Sequence, residues 1–525
     1  MENEKASGQQ AMWEGLEPPE TTAPPASVPP AAQGAPRLQA VNRQQMVLRM
    51  VDVERLIAED HPARAIWEFV GKLDLSLFYQ TIRAVEGVAG RPALDPQLLI
   101  SLWIYAYSEG VGWAREVARL CQFDPAYQWL TGLQPVNPHS LSDFRVEHQA
   151  ALDKLFTEVL GLLSAEGLVT LQRVMHDGTK VKACAGADSF RREEKILAHL
   201  ELARQQVEEM GDPRNEELSQ RVAKARQRTA RERRERLELA RQELEKLRAT
   251  KPSAEAQQEA RVSETDPEAR VMKQSDGGFA PSYNVQISTD AAAGIIVGVE
   301  VSQAGSDYGQ LTPAVEKIRE NLQRAPEQVV VDGGFTSRAT ILEMAQQGVD
   351  LIGSLGDSSG KAEGQFQRRG VDPAFRPQAF TYHPRSDTFT CPAGQALSPA
   401  GKEKRPGVLL HQYRAPAAAC AAGAFKAQCC PQNTGGRMVV REEEAPAVAA
   451  FRAKMATEEA KQIYRQRGAV AEFPNAWIKA KIGLRQFRLR GLIKVKMEAT
   501  WACLTYNIQQ WIRLRGRGQP ALGTA

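Results

Sequence analysis

The sequence predicts a mixed α/β fold, because strands and helices alternate in its central part and helical regions lie on either side. Short β-branched runs end at Asp177 and at Asp332, and each acid is followed by glycine. That pattern is typical of a buried strand that ends in a turn. Two more strands, Tyr283 to Ser288 and Ile295 to Val301, flank a hairpin turn and precede a helix from Leu311 to Leu322. Strands that alternate with helices favour a layered α/β core.

The N-terminal part of the chain changes character near residue 40. Residues 1–40 are rich in Pro, Ala and Gln, so we expect a disordered tail that cannot bury enough apolar surface to fold. Residues 41–166 have helical periodicity, and Asp95 before Pro96 predicts the start of a helix. Further short helices are predicted over residues 113–121, 125–130 and 138–148.

Two interpretations of residues 41–166 remain open. Short helices joined by tight turns are typical of a helix-turn-helix DNA reader, and equally of a helical bundle that packs on a catalytic core. In the first case the last helix would present polar side chains to DNA, namely Ser140, Ser142, Arg145 and His148.

The rest of the chain divides into a core with two insertions. The first insertion is intensely charged, and a Gly-Asp-Pro break at 211–213 predicts two helices folded back on each other. We expect a solvated hairpin, with dimerisation or DNA clamping as the alternative. The predicted segments are the first part of the core at 167–188 and 265–355, the charged helical insertion at 189–264, a Gly-, Pro- and Cys-containing insertion at 356–445, the C-terminal part of the core at 446–515 and a tail at 516–525.

The charge of the chain is small overall but unevenly placed. The net charge is +4, yet residues 479–517 carry ten Lys or Arg against one acid, Glu498, and this local excess suits a polyanionic partner. No apolar run approaches the ~20 residues that span a bilayer, and the N-terminus lacks the apolar core of a signal peptide. Seven scattered cysteines do not form a secreted disulfide pattern. We therefore expect no membrane partner and a cytoplasmic location.

Three acids are the candidate catalytic residues. Asp177 lies in Val-Met-His-Asp-Gly-Thr-Lys, Asp332 in Val-Val-Val-Asp-Gly-Gly-Phe, and Glu472 in a basic, helix-prone stretch. Two carboxylates from strand ends and one from a helix can hold two hard divalent cations, which clamp the attacking and leaving oxygens of a phosphoryl transfer. The commoner role of a single Asp at a strand end is to cap a turn.

The order of several short motifs resembles that of bacterial insertion-sequence transposases of the DDE type with a Tyr-Arg-Glu-Lys signature. The resemblance extends from about Val47 to Leu514. It implies a ribonuclease-H-like core, two Mg²⁺ ions with Mn²⁺ as a substitute, and cutting and joining of the element's DNA ends. It rests on residues 90–96, 140–145, 177–180 and 283–286, and on Tyr464, Arg467, Glu472 and Lys479 in that order.

The same resemblance assigns expected roles to individual residues. Asp177, Asp332 and Glu472 would be the catalytic metal ligands. Tyr464 and Lys479 would contact the terminal DNA, and Arg467 would contact phosphate. From the basic stretch we add Arg485, Arg488 and Arg490 as phosphate contacts, because they follow Glu472 closely. The expected partner is double-stranded DNA, at the terminal inverted repeats and at the target, bound by a homodimer.

Two other functions remain as alternatives. One is a catalytically inactive DNA-binding relative that regulates transposition. The other is a ribonuclease-H-like nuclease without strand transfer, in which the Tyr-Arg-Glu-Lys set would be idle. Pro474, two residues after Glu472, should kink the helix there, and His176 should point to the opposite strand face from Asp177.

The cysteines raise the question of a zinc site, since resembling transposases often carry a Cys-rich patch. Gly423 stands where the second Cys of a Cys-x-x-Cys pair would follow Cys420, and the adjacent Cys429 and Cys430 rarely both reach one tetrahedral ion. With Cys391 these residues still offer four thiolates, but we expect no structural zinc.

Overall fold

The computed structural model describes residues 44, 46, 48, 50–85, 87, 92–210, 220–356 and 359–516. The predicted N-terminal tail, residues 90 and 91 of the first motif, the break at 211–213 and residues 517–525 lie outside the described residues. The chain divides into residues 1–51 and a unit from Asp52 onward. All elements below belong to the second unit.

Along the chain, helices lie before, between and after the strands. The α-helices are α1 Pro62–Val70, α2 Ser76–Tyr79, α3 Pro96–Ser108, α4 Ala114–Phe123, α5 Pro125–Thr131, α6 Pro138–Glu147, α7 Gln149–Ala165, α8 Glu193–Glu209, α9 Gln220–Ala249, α10 Ala254–Gln258, α11 Leu311–Leu322, α12 Arg338–Gln346, α13 Ser359–Arg368, α14 Ala417–Ala421, α15 Lys426–Cys429, α16 Pro446–Ala456, α17 Glu458–Arg465, α18 Phe473–Ala480 and α19 Leu492–Gly516. Short 3₁₀ turns lie at Val53–Leu56, Ala187–Ser189, Pro373–Phe375 and Pro377–Ala379, and a π-helix at Gly468–Glu472.

The strands fall into a central sheet, a second sheet and one short pair. They are β1 Arg173–Lys182, β2 Phe190–Arg191, β3 Val262–Ser263, β4 Arg270–Lys273, β5 Phe279–Asp290, β6 Ile296–Ser302, β7 Gln328–Val330, β8 Asp350–Ile352, β9 Thr381–His383, β10 Thr388–Thr390, β11 Ala396–Arg405, β12 Val408–Arg414 and β13 Met438–Glu444.

The central sheet has the order β4-β5-β1-β7-β8, and β6 also pairs with β5. β1 runs antiparallel to β5 and parallel to β7, and β7 runs parallel to β8. An antiparallel β5–β6 hairpin on one side of β1 and parallel strands on the other form the ribonuclease-H-like topology that the resemblance implies. The prediction of a mixed α/β core is therefore confirmed.

Strand β1 does not end in a turn at Asp177, as the sequence predicted. It continues to Lys182, because residues 178–182 stay paired with β5, and it begins only at Arg173. Leu171 has a left-handed backbone with φ 58°, a conformation that a strand does not contain. Its backbone N–H instead donates to Asp290 Oδ2 at 2.6 Å, which anchors the start of β1 to the β5–β6 turn. β1 then begins at Arg173 and keeps the predicted Asp177 in its middle.

The N-terminal helices pack on the C-terminal helix as a bundle. Helix α3 begins where predicted, and Asp95 Oδ1 accepts from the backbone N–H of Gln97 at 2.8 Å. Phe69 of α1 lies edge-on to Trp511 of α19 with ring centroids 4.7 Å apart. The buried residues of this region share one hydrophobic cluster with many of the buried residues of the central sheet, including Val174, Val285 and Val329. This packing corresponds to the bundle interpretation of residues 41–166.

Arg145 of α6 does not have the exposed position that the helix-turn-helix interpretation gave it. Its side chain is buried, and it donates from Nη1 to the carbonyl oxygen of Gly112 at 2.7 Å. Its guanidinium also lies over the Trp103 ring at 4.6 Å. The residue thus stabilises the bundle and does not present its charge to a partner.

The two insertions differ in how well the sequence predicted them. The charged insertion contains the two predicted helices, α8 and α9, which pack on each other through Leu200, Ala203 and Leu237. The Cys-containing insertion holds an antiparallel sheet of order β13-β12-β11-β10-β9, which its Gly-, Pro- and Ala-rich composition did not reveal. Among the described residues, no helix combines the length and apolarity needed to cross a bilayer.

The helix-prone region between Pro446 and Leu484 does not form one continuous helix. Thr457 ends α16 and caps α17, and the π-helix at Gly468–Glu472 separates α17 from α18. Pro474 has no N–H to donate to the carbonyl four residues earlier. The wider i→i+5 turn of a π-helix accommodates that missing donor. The predicted distortion near Pro474 is therefore confirmed, in the form of a π-helix.

Candidate active site

Asp177 lies within β1 and Asp332 lies two residues after β7, at matching positions along these neighbouring parallel strands. Met175 of β1 is paired with Val330 of β7, and each acid stands two residues beyond that pair. Burial raises the pKa of Asp177 to about 6, Arg467 opposes the rise, and the charge of Asp332 adds to it. Asp332 Oδ1 also accepts from the backbone N–H of Gly334 at 2.8 Å. The structure thus brings the two predicted strand-end acids together.

Arg467 connects Glu472 to this pair. Its Nη2 lies 3.4 Å from Glu472 Oε1, and its Nη1 lies 4.0 Å from Asp177 Oδ1. Glu472 ends the π-helix, and its side chain is 63% exposed. Across the described ranges, no three or more His, Cys, Asp and Glu side chains form a group that could hold a metal ion. In this arrangement the Arg467 guanidinium lies between the carboxylates of Asp177 and Glu472.

Asn475 is a site residue that the sequence analysis missed. Its Nδ2 donates to Asp177 Oδ2 at 3.0 Å and to the carbonyl oxygen of Ala471 at 3.3 Å. Its Oδ1 is buried without a hydrogen-bond partner among the described residues. An asparagine inside a predicted helix gives no signal of such a role. The one hint was Pro474 beside it, which reshapes the helix at that point.

His176 points away from Asp177, as strand alternation predicted. Its Nδ1 and Nε2 lie 2.9 Å from Ser288 Oγ and from Gln286 Oε1. Burial lowers its pKa to about 4, so the ring is neutral near pH 7. His176 therefore packs and orients β5 side chains and carries no charge to the site.

Asp307 is a second site residue that the sequence analysis missed. Its Oδ1 accepts from Asn284 Nδ2 at 2.8 Å and from Gln286 Nε2 at 3.0 Å. A Cβ added at Gly178 would overlap this carboxylate, and one added at Gly334 would lie 3.7 Å from Asp307 Cβ. Gly178, the residue after Asp177, thus leaves room for Asp307, and Asn284 and Gln286 of the motif at 283–286 hold it.

Lys479 and Arg485 border a cavity of about 610 Å³ beside Asp177. We call it the basic cavity, and it is lined by residues 178–180, 182, 273–276, 479, 485 and 486. Burial lowers the pKa of Lys479, Asp177 raises it, and Arg485 lowers it. Two of the predicted DNA contacts therefore lie next to the strand-end acids. Lys180, Lys182 and Lys273 join them there, although the sequence analysis did not single them out.

Arg488 does not occupy the position predicted for a phosphate contact. Its side chain is only 11% exposed, and Nη1 lies 3.6 Å from Oε1 of the fully buried Glu498. Its guanidinium fills the space where a Cβ on Gly112 would stand and lies 5.9 Å from the Trp113 ring. This position does not support a phosphate role for Arg488. Its contacts are those of a residue that joins the helical bundle to the core.

The other two predicted contacts have different surroundings. Arg490 is exposed, and its Nε donates to the carbonyl oxygen of Cys184 at 3.1 Å. Tyr464 is half-buried and packs below the strand ends, in a cluster with Met175, Val330 and Ile352. Tyr464 therefore supports the sheet from which the acids project.

The cysteines of the second insertion lie around its small core. Cys391, Cys420 and Cys429 pack against the buried side chains of that sheet, and Cys430 is itself buried. Burial raises the pKa of Cys429 to about 11, and the neighbouring Cys430 adds to the rise. This thiol is protonated near pH 7 and packs as an apolar group.

The central sheet has a ribonuclease-H-like topology, and it brings Asp177, Asp332 and Arg467 together beside the basic cavity. Two family models match the chain: a transposase domain over residues 51–147 and a transposase DDE domain over residues 390–512. These matches indicate an enzyme that acts on DNA, a DNA transposase. The second match includes Glu472 and leaves Asp177 and Asp332 outside it.

One solved structure aligns with most of the chain. The cryo-EM structure of the piggyBac transposase synaptic complex with hairpin DNA is similar at 7% sequence identity and a TM-score of 0.30, over 88% of this chain and 76% of that one. At that score the likeness carries no weight for fold or function. No curated protein matches the chain.

Proposed function

We propose that this chain is an active DDE transposase, which cuts double-stranded DNA at the ends of an insertion sequence and joins those ends to a target. Asp177, Asp332 and Glu472 are its catalytic carboxylates. The observation that carries the proposal is the matched placement of Asp177 and Asp332 on two parallel strands, with Arg467 linking Asp177 to Glu472. The two transposase domains agree with it.

The proposed cofactor is a pair of Mg²⁺ ions, for which Mn²⁺ can substitute. The three side chains supply only hard oxygen donors, the kind that Mg²⁺ accepts, and the exposed Glu472 has room to move toward the aspartates. When bound, such ions activate a water or a 3′ hydroxyl and offset the charge that develops on the phosphoryl oxygens.

The remaining residues position the reacting groups. Asn475 holds Oδ2 of Asp177 by a hydrogen bond, and Oδ1 of Asp177 faces Arg467. Arg467 offsets the negative charge of Asp177 and Glu472. When metal ions bind these carboxylates, the guanidinium is placed to contact a phosphate instead. Lys479 and Arg485 hold the DNA that flanks the scissile phosphate.

We also propose that the protein acts as a homodimer on the terminal inverted repeats, since two ends have to be cut and joined together. Light scattering of the protein on one end and on two ends measures this directly. A single chain that holds both ends would contradict the dimer without affecting the catalytic assignment.

The test of the catalytic assignment is Asp332→Asn, compared with Asp60→Asn as an isosteric control at an exposed acid of the N-terminal helices. Asp332→Asn should abolish cleavage of end DNA in Mg²⁺ and in Mn²⁺, while binding of the same DNA stays nearly intact. The control should keep both activities. Equal loss of binding and cleavage, with the fold preserved, would refute this division of roles. Wild-type protein that binds end DNA but never cleaves it would point to the regulatory alternative.

A further inference from the structure

The basic cavity is built by three separate parts of the chain that meet beside Asp177. Strand β1 forms one wall with Lys180 and Lys182, and the turn after β4 forms another with Lys273. The third wall is the segment from Lys479 to Gln486. The backbone N–H of Lys182 donates to the carbonyl oxygen of Arg485 at 3.1 Å, so two of these walls are fixed to each other.

The basic side chains of this cavity have no acidic side chain as an ion-pair partner among the described residues. Among the described residues, no carboxylate forms an ion pair or hydrogen bond with the side chains of Lys180, Lys182, Lys273, Lys479 or Arg485. The lining contains one acid, Asp276, against these five cations. Asp276 and the neighbouring Asp177 offset only part of this positive charge, so the cavity attracts an anion.

We infer that the basic cavity binds the sugar-phosphate backbone of one DNA strand next to the scissile phosphate, with Lys180, Lys182 and Lys273 as phosphate contacts. This inference rests on the proposed function for the identity of the polyanion. The cavity begins at Gly178, the residue after Asp177, so a strand whose phosphate reaches the acids continues directly into it.

The types of residue that line the cavity also indicate which part of DNA the cavity recognises. None of the eleven lining residues is aromatic, so the cavity offers no platform on which a base could stack. Flexible lysines and one arginine around an open polar wall contact phosphate oxygens and carry no base information. The cavity should therefore bind any sequence equally and act as the register-independent part of the DNA path.

The experiment is a salt titration of DNA binding by the full chain in EDTA, so that cleavage plays no part. The test variant is Lys182→Ala with Lys273→Ala, two exposed side chains. The charge-matched control is Lys72→Ala with Lys154→Ala, because those lysines already pair with Glu68 and Asp74 at 2.7 and 2.6 Å. Fluorescent end DNA and random duplex of equal length are the two probes.

The test variant should flatten the log–log salt slope by about 1.8, since each lost phosphate contact removes about 0.9. The change should be the same on end DNA and random DNA, and the control should keep the wild-type slope. Lys182→Arg with Lys273→Arg should restore it, and the single Lys273→Glu should weaken binding on both probes. An unchanged slope, or the same change in the control, would overturn the inference.

A loss confined to end DNA would also overturn it, because it would mean that these lysines read bases. Binding in EDTA is independent of the catalytic acids. If Asp332→Asn kept cleavage, the catalytic assignment would fail while the cavity result stood, so the two failures are distinguishable.

Discussion

The two halves of the basic C-terminal stretch look alike in sequence and differ in structure. Lys479 and Arg485, in the first half, border the basic cavity and have no acidic partner among the described residues. Arg488 and Lys496, in the second half, pair with Glu498 and Glu300 at 3.6 and 3.0 Å. Arg515 pairs with Glu166 at 2.9 Å.

This difference shows that a local excess of positive charge in the sequence does not indicate which basic side chains lack an ion-pair partner in the fold. The sequence count found one acid against ten cations in this stretch. The partners Glu166 and Glu300 lie far away in sequence and come close only through the fold. The first half of the stretch is therefore a candidate DNA surface, and the second half largely joins α19 to the rest of the molecule.

The largest expected effect is a difference in stability between a variant in the second half of the basic stretch and a variant in the first half. Arg488→Ala should lower the free energy of unfolding by about 3 kcal/mol, because it leaves the buried Glu498 without its ion-pair partner. Arg485→Ala, at an exposed side chain, should stay within about 0.5 kcal/mol of wild type. Urea unfolding of both variants checks the pair. Similar stability losses would remove the contrast between the two halves.

A second prediction concerns the glycine beside Asp177. Gly178→Ala should destabilise the protein by about 2 kcal/mol and impair cleavage, because the new methyl group overlaps Asp307 and lies 2.7 Å from Gln286 Nε2. Gly161→Ala is the matched control inside α7, where an added Cβ meets nothing within 4 Å. It should be neutral or stabilising by up to about 1 kcal/mol. A silent Gly178→Ala would mean that Asp307 moves freely.

A smaller effect links metal binding to pH. The pKa of Asp177 is raised to about 6 from its ordinary value of 3.8, so the folded state holds this proton more tightly than the unfolded state between those values. Stability from this group is present at low pH and is lost as pH rises through about 6. Mg²⁺ needs the ionised carboxylate, so its stabilisation should be about 1 kcal/mol at pH 7.5 for a concentration several times Kd, and should fade below pH 6.

Thermal melts with and without Mg²⁺ at several pH values measure this effect. Asp177→Asn should show little stabilisation by Mg²⁺ at any pH, and Asp60→Asn should match wild type. Stabilisation that does not depend on pH, or that persists in Asp177→Asn, would place the ions elsewhere.

Periodicity and turn signals predicted the central fold well. The Asp95 cap, the β5–β6 hairpin and helix α11 lie where the sequence placed them, because each depends on local chemistry. The β9–β13 sheet was missed, since its strands are joined by turn-rich, Ala-rich sequence without clear alternation. The break between α17 and α18 depends on Pro474, whose effect was anticipated without its π-helical form.

The site was predictable where an acid followed an apolar, β-branched run, although Asp177 lies inside its strand and does not end it. Asp177 and Asp332 follow β-branched runs, and strand pairing brought them together. Asn475 and Asp307 were missed because their roles depend on neighbours far away in sequence, which no local pattern shows. The burial of Arg145 and Arg488 was missed for the same reason, since a charged side chain in a basic or polar motif gives no sign of its partner.

The most direct test of the central claim is single-turnover cleavage of end DNA in Mg²⁺ by Glu472→Gln, compared with Glu459→Gln. Both acids are exposed and lie 13 residues apart in the same helical region, so the pair controls for charge and fold. Glu472→Gln should lose cleavage in Mg²⁺ and keep its binding of end DNA, while Glu459→Gln should cleave as wild type does. Wild-type cleavage by Glu472→Gln would contradict the claim that Asp177, Asp332 and Glu472 form one catalytic site.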